Sequence, residues 1–154
     1  MALKYVENDI LNAKHGFIVH QVNNKRVMGA GLAKQIRAKF PRHYLDYQNA
    51  PLYLGNVIVT PVKERTWVVG LVAQNGYGRD GKCYTDYKAL KDCLESLSLM
   101  LTELYPKEPV LFPHGIGCGL AGGDWKKVEP LIETYFPSAY IVKLKKGDTN
   151  YECL

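Results

Sequence analysis

Val110-Leu111-Phe112-Pro113-His114-Gly115-Ile116-Gly117-Cys118-Gly119-Leu120-Ala121-Gly122-Gly123-Asp124 is the stretch on which the fold turns. A short apolar strand enters a loop with five glycines in nine residues, more than a tight turn requires, and then reaches Asp124, a carboxylate suited to cap a helix. That helix carries Val128, Leu131, Ile132 and Tyr135 on one face. Gly117-x-Gly119-x-x-Gly122 matches the dinucleotide fingerprint of a Rossmann fold in form. Its position argues against that fold, which places the fingerprint in the first strand–helix unit. Here one helix and one strand, Ala139 to Leu144, remain before the polar tail 145–154, which is expected to fray. The local chemistry survives the exclusion: glycines let backbone N–H groups approach an anion, and the positive end of the following helix favours a phosphate.

Upstream, the same alternation of strands and helices recurs. Leu3 to Val6 and Phe17 to Val22 read as strands, the second apolar enough to be buried. From Ala30, the residues Leu32, Ala33, Ile36 and Phe40 recur at helical spacing until Pro41, which can itself open a short helix carrying Tyr44 and Tyr47. Asn56 to Pro61 and Thr66 to Ala73 are β-rich runs joined by Val62-Lys63-Glu64-Arg65, an antiparallel hairpin. Tyr87, Leu90, Leu94, Leu97, Leu101 and Leu104 mark a long helix with Thr85 or Asp86 as N-cap and Pro106 as its stop. The pattern predicts an α/β fold, a mixed sheet with helices on both faces, as one domain over residues 1–154. Ligands of such sheets bind outside the carboxyl ends of the strands, where both glycine loops fall.

Composition sets wider bounds. With 154 residues, 47% hydrophobic and 23% charged, the chain is neither disordered nor collagen-like nor a coiled coil. A net charge of +5 favours anionic partners, with phosphorylated small molecules suited as well as nucleic acid. The N-terminus does not read as a signal peptide, and no apolar run approaches the roughly 20 residues that span a bilayer. A soluble, cytoplasmic protein is expected, without membrane contact and monomeric. Cys83, Cys93, Cys118 and Cys153 form no Cys-x-x-Cys pair and have no His at zinc-ligand spacing, so neither a metal nor a cofactor is expected. Cys118 reads as a small side chain tolerated in a tight loop rather than a nucleophile.

The other glycine loop follows the buried strand: His20-Gln21-Val22-Asn23-Asn24-Lys25-Arg26-Val27-Met28-Gly29-Ala30-Gly31-Leu32-Ala33. Gly-Ala-Gly at a helix start is a second array of backbone donors, and two arrays from distant parts of the chain can face one diphosphate. Asn23 offers an amide donor and acceptor for a ribose hydroxyl or a water, although it and Asn24 also suit an ordinary turn. His20 and His114 each adjoin a glycine loop at a strand end and are the candidates for nucleophile, base or acid. A hydrogen-bonded structural imidazole is the alternative at each. His15 and His43 sit in polar surroundings and read as surface residues. Gln74, Asn75 and Asp86 can enter from the loop after the hairpin, and Asp86 is equally a helix cap. Asp9 on its own reads as the N-cap of a short helix starting at Ile10.

Taken together, Glu7-Asn8-Asp9-Ile10-Leu11, the His20–Ala33 loop and Pro113 to Trp125 resemble the macrodomain family of ADP-ribose binders, over nearly the whole chain from Leu3 to about Leu144. The resemblance is closest to the branch of ADP-ribose-1″-phosphate phosphatases and ADP-ribosyl hydrolases. It departs from the commonest pattern in having His20-Gln21-Val22-Asn23 where Asn-Ala-Ala-Asn is usual, and a shorter glycine run in the first loop. The resemblance implies a three-layer α-β-α fold. It implies that Asp9 accepts from the adenine amino group, with the Ile10 backbone against the base. Asn23 would touch the distal ribose and support catalysis with His20 or His114. Gly29, Ala30, Gly31 and Leu32 would line the distal ribose and phosphate, and Gly115, Ile116, Gly117, Cys118, Gly119 and Leu120 would wrap the diphosphate. The activity implied first is release of phosphate from ADP-ribose-1″-phosphate. The alternatives are removal of ADP-ribose from modified macromolecules and binding of ADP-ribose without turnover.

Overall fold

A computed structural model describes residues 3–105 and 107–144. The helix stop at Pro106, Cys153 and the fraying of the tail 145–154 lie outside the described residues. In chain order the elements are β1 (Lys4–Glu7), a short 3-10 turn (Ile10–Asn12), β2 (Gly16–Asn23), α1 (Gly31–Lys39), α2 (Pro41–Asn49), β3 (Val57–Lys63), β4 (Thr66–Gln74), α3 (Tyr87–Leu104), β5 (Val110–Pro113), α4 (Trp125–Tyr135) and β6 (Tyr140–Lys143).

The six strands form one sheet in the order β1-β6-β5-β2-β4-β3, parallel except for β3, which pairs antiparallel with β4 at the edge. A parallel strand covered on both faces has no polar side to show. Accordingly β2 is buried along all of its length except Gln21, which is partly exposed. Phe17 and Val19 turn to one face, into a core shared with Leu90, Leu94 and Leu97 of α3 and Val128 and Ile132 of α4. Ile18 turns to the other face, against Leu32 and Ile36 of α1, and Val22 meets Tyr47 of α2 there. Alternation along one strand thus produces the three layers, with α1 and α2 on one side and α3 and α4 on the other.

The local signals act as read. Asp86 caps α3 by accepting from the Ala89 N–H at 2.9 Å, and Asp124 caps α4 through the Lys126 N–H at 3.0 Å. Pro41 separates α1 from α2 as the first residue of the second helix, where its missing N–H costs nothing. Among the described residues, no helix is long and apolar enough to cross a membrane. Because five strands are parallel, the segments after β1, β6, β5, β2 and β4 all emerge at one edge of the sheet.

Candidate functional site

At that edge lies a cavity of about 490 Å³. His20, Gln21, Val22 and Asn23 at the end of β2 form one wall, and Gly29 to Ala33 at the start of α1 form a second. Gln74, Tyr77, Gly78 and Arg79 close the β4 side, with Leu120 and Ala121 on the side of the second glycine loop. No carboxylate lines it, and Arg79 is its one charged side chain among the described residues. The α1 N-terminus opens into this space uncapped: Ala30 occupies the cap position without a side-chain hydrogen bond, and the first turn holds no acidic residue. Unsatisfied N–H groups beside a carboxylate-free cavity favour a negative charge there.

Asn23 is placed there by a one-residue slip of register between β2 and β4, after which it pairs with Gln74. Its amide is heavily committed. Nδ2 donates to the Val27 carbonyl at 2.8 Å, while Oδ1 accepts from the Lys25 N–H at 2.9 Å and lies 2.7 Å from the Tyr47 hydroxyl. The Tyr47 hydroxyl also lies 2.7 Å from the Asn23 carbonyl and accepts from the Val27 N–H at 3.1 Å. Burial pushes the Tyr47 phenol up to about 12. Asn23 and Tyr47 therefore shape the 24–27 turn that leads to Gly29.

His20 points to the α1–α2 side of the sheet. Its Nε2 is 2.9 Å from Nε2 of His43, whose Nδ1 is 2.9 Å from the Thr60 hydroxyl, which donates to Asp46 at 2.6 Å. The surface position expected for His43 is thus corrected: it is fully buried, because α2 turns it inward over Gly70. Gly70 stands opposite His20 in the register, and a Cβ there would meet the His43 ring at 3.4 Å. Burial holds His20 well below the usual imidazole value, with repulsion from His43 adding to it. Burial likewise brings His43 down to about 4, against the opposing pull of Asp46.

Leu120 reaches the cavity, but Gly115, Ile116, Gly117, Cys118 and Gly119 are not part of its wall. The Gly117 carbonyl accepts from Thr85 Oγ1 at 2.6 Å, and Thr85 Oγ1 in turn accepts from Gln21 Nε2 at 2.9 Å. A Cβ on Gly117 would stand 2.8 Å from Gln21 Oε1, and one on Gly122 would stand 2.4 Å from the Lys82 carbonyl. Close backbone approach requires glycine at Gly117 and Gly122, and the Asp124 carboxylate caps the α4 N-terminus.

His114 is not among the residues that line this cavity. Its ring lies against Tyr5 of β1 and Trp125, with centroids at 6.3 and 5.0 Å. Burial lowers its basicity, with Lys143 adding to the effect. Asp9 caps the short turn through the Leu11 N–H at 3.0 Å, and Ile10 is buried; both stand after β1, about 14 Å across the sheet from β2 at ~4.8 Å per strand. Leu32 and the Gly29–Gly31 segment do line the cavity, as do Asn23, His20 and Gln74.

Sequence reasoning missed His43, Thr60, Tyr47, Tyr77 and Arg79. Gly70 inside an otherwise apolar strand was the available signal for the first two, since a glycine there marks a close approach. Tyr77 and Arg79 sit on a loop organised from within, where the Tyr84 hydroxyl donates to Asp80 at 2.8 Å and its ring packs over Gly78. That loop is tied to the Asn23 turn, the Gly76 N–H donating to Asn24 Oδ1 at 2.9 Å.

Sheet order, layers and the site at the carboxyl edge define this chain as having the macrodomain fold. A macrodomain protein from Streptomyces coelicolor superposes with a TM-score of 0.70 at 25% identity, over 92% of this chain and 97% of that one. Thermosipho africanus DarTG, solved in complex with ADP-ribose, matches with a TM-score of 0.74 at 20% identity, over 95% of this chain and 43% of that one. In sequence, the chain is 27% identical over 157 residues to a 17.5 kDa protein of the tk-vs intergenic region of Enterobacteria phage T4, covering 92% of this chain and 95% of the relative. It is 26% identical over 155 residues to the DNA ADP-ribosyl transferase–DNA ADP-ribosyl glycohydrolase fusion protein of Thermosipho africanus, covering 86% of this chain and spanning 38% of that protein's length. A DNA ADP-ribosyl glycohydrolase of Thermus aquaticus is 26% identical over 138 residues, and the chain spans 37% of it. No protein-family model matches the chain.

Proposed function

We propose that this protein binds ADP-ribose in the cavity between β2, α1 and β4 and hydrolyses the bond that joins the distal ribose to a modified macromolecule. The observation that carries the reading is the uncapped α1 N-terminus opening into a cavity without carboxylates, beside the amides of Asn23 and Gln74. The diphosphate lies against the α1 N–H groups. Gln74 Nε2 donates to the Gly76 carbonyl at 3.1 Å, which fixes its amide at the β4 wall next to the ribose. In hydrolysis, water adds at C1″ of the ribose as the bond to the leaving group breaks, and the leaving group takes up a proton. His20 is the one histidine on the cavity wall and is neutral at pH 7. The relatives named for DNA ADP-ribosyl glycohydrolase activity support macromolecule de-modification, with DNA as the substrate to test first.

The test is calorimetric titration with ADP-ribose, followed by three time courses: ADP-ribose release from ADP-ribosylated DNA, the same from ADP-ribosylated protein, and phosphate release from ADP-ribose-1″-phosphate. Binding with release from DNA or protein is the expected result. Phosphate release alone would make the protein a phosphatase, and binding with no turnover would make it a reader. Absence of ADP-ribose binding would overturn the reading altogether.

A further inference from the structure

The net charge of +5 is concentrated in one part of the chain. No aspartate or glutamate occurs from Ile10 to Leu45, a stretch that holds seven of the 20 lysines and arginines, so the rest of the chain, with all 15 carboxylates, is net negative. The fold gathers this stretch into β2, α1 and the first half of α2, and all seven cations are exposed. Among the described residues none of the seven forms an ion pair; the pairs that form are Arg65–Glu108, Lys82–Asp80 and Lys88–Asp92. Asp46, the first carboxylate beyond the stretch, accepts from the Thr60 hydroxyl at 2.6 Å.

α1 begins at the cavity wall with Gly31, and Lys34 follows about 4.5 Å along the helix axis. Arg37 stands three residues further on the same side, its guanidinium 4.0 Å from the centre of the Tyr44 ring in α2. Arg37 and Lys39 in the last turn of α1 also suit the negative end of that helix. Lys34, in the first half of α1, and Arg42, the second residue of α2, oppose the dipoles of their helices, so helix stability does not account for them. Val27 and Leu45 are the large apolar side chains exposed in this stretch, too few for the apolar centre of a protein interface. Cations without carboxylate partners and without an apolar centre match a phosphate backbone. We infer that the exposed side of α1 and α2 is the surface on which the backbone of a nucleic-acid substrate lies while its ADP-ribosyl group enters the adjoining cavity. This rests on the ADP-ribose reading above, and it gives that reading a substrate class.

The experiment is fluorescence anisotropy of a labelled, unmodified single-stranded DNA of about 20 nucleotides, titrated with the full chain at about 50–200 mM NaCl. Each sample is also melted and titrated with ADP-ribose in a calorimeter. The triple variant Lys34→Gln, Arg37→Gln, Arg42→Gln is expected to bind the oligonucleotide about ten- to a hundredfold more weakly, with the slope of log K against log salt reduced by about 2, at roughly 0.7 per phosphate contact. It is expected to melt cooperatively and to bind ADP-ribose as the wild type does. With ADP-ribosylated DNA its KM should rise while kcat holds. Lys91→Gln, Lys126→Gln, Lys127→Gln makes the same change of net charge on exposed residues of α3 and α4 and is expected to keep wild-type DNA binding. A wild type that does not bind the oligonucleotide overturns the inference, as does a first variant that binds it normally or a second that loses as much. Equal affinity at the same salt for polyglutamate or for phosphatidylserine vesicles overturns it too, making the partner an acidic protein or a membrane. DNA binding that is lost in the first variant, in a protein that never binds ADP-ribose, overturns the ADP-ribose reading and leaves the surface standing.

Discussion

The Nε2 atoms of His20 and His43 stand 2.9 Å apart, one on the central strand and one on α2, with both side chains buried. Neither ring can take a proton there cheaply, so folding and protonation compete. Both folded-state values lie below 6.5, His43 at about 4, so between these limits the unfolded chain binds more protons than the folded one. Stability is therefore complete above about pH 6.5 and falls as the pH drops toward 4, by about 3 kcal/mol from His43 alone across the window. Urea denaturation at pH 7.5 and at pH 5 should show the drop. A midpoint that does not move would contradict it.

Tyr47→Phe removes one hydroxyl that joins the Asn23 carbonyl, the Asn23 amide and the Val27 N–H. The ring stays, so packing is kept, but buried polar groups lose their partner. A destabilisation of about 1–3 kcal/mol is expected, together with weaker ADP-ribose binding as the 24–27 turn loosens. Thermal melts and calorimetry of the same sample check both. A variant with wild-type affinity would show that the turn needs no support from α2.

Ala30→Asp separates stability from binding. Ala30 has the extended backbone of an N-cap, so an aspartate there caps α1 and adds about 0.5–2 kcal/mol of stability. The same carboxylate places a negative charge where the proposed diphosphate lies. ADP-ribose affinity should fall at least about tenfold while the melting temperature rises. If both rise, the α1 N-terminus is not the phosphate site.

Gly117→Ala and Gly115→Ala test the second loop. Both backbones are left-handed, at φ +75 and +79, but only at Gly117 does a Cβ meet its neighbours, Gln21 Oε1 at 2.8 Å and Thr85 Oγ1 at 3.2 Å. Gly115→Ala should cost roughly 1–2 kcal/mol of backbone strain. Gly117→Ala should cost distinctly more, because Gln21 or Thr85 must move. Equal losses in chemical denaturation would show that the loop has room the structure denies.

The layers were legible because each depends on neighbours in the chain. Apolar period, Pro41 between two helices and the carboxylates of Asp86 and Asp124 act within a few residues of themselves, and the structure places every strand and helix within a few residues of its expected position. Asp9 shows the limit: its cap to Leu11 is local and was readable, whereas whether it also meets a base depends on atoms outside its own turn.

The site was legible only in half. Gly29 to Leu32, Asn23 and His20 announce themselves as a strand end running into a helix start. Which residues of each glycine loop line the cavity is a different kind of fact. The Gly117 carbonyl is bonded by Thr85, a contact that exists only once the segment before α3 is seated beside the loop. His43 looked exposed because its sequence neighbours, Arg42, Tyr44 and Asp46, are polar or amphipathic. Rotation of α2 against the sheet buried it on His20, with Gly70 making the room. Periodicity and capping are properties of the chain read in order, so the sequence alone determined the elements and their layering. Burial and the contacts of His20, His43 and Gly117 arise from residues far apart in the chain, and packing alone decided them.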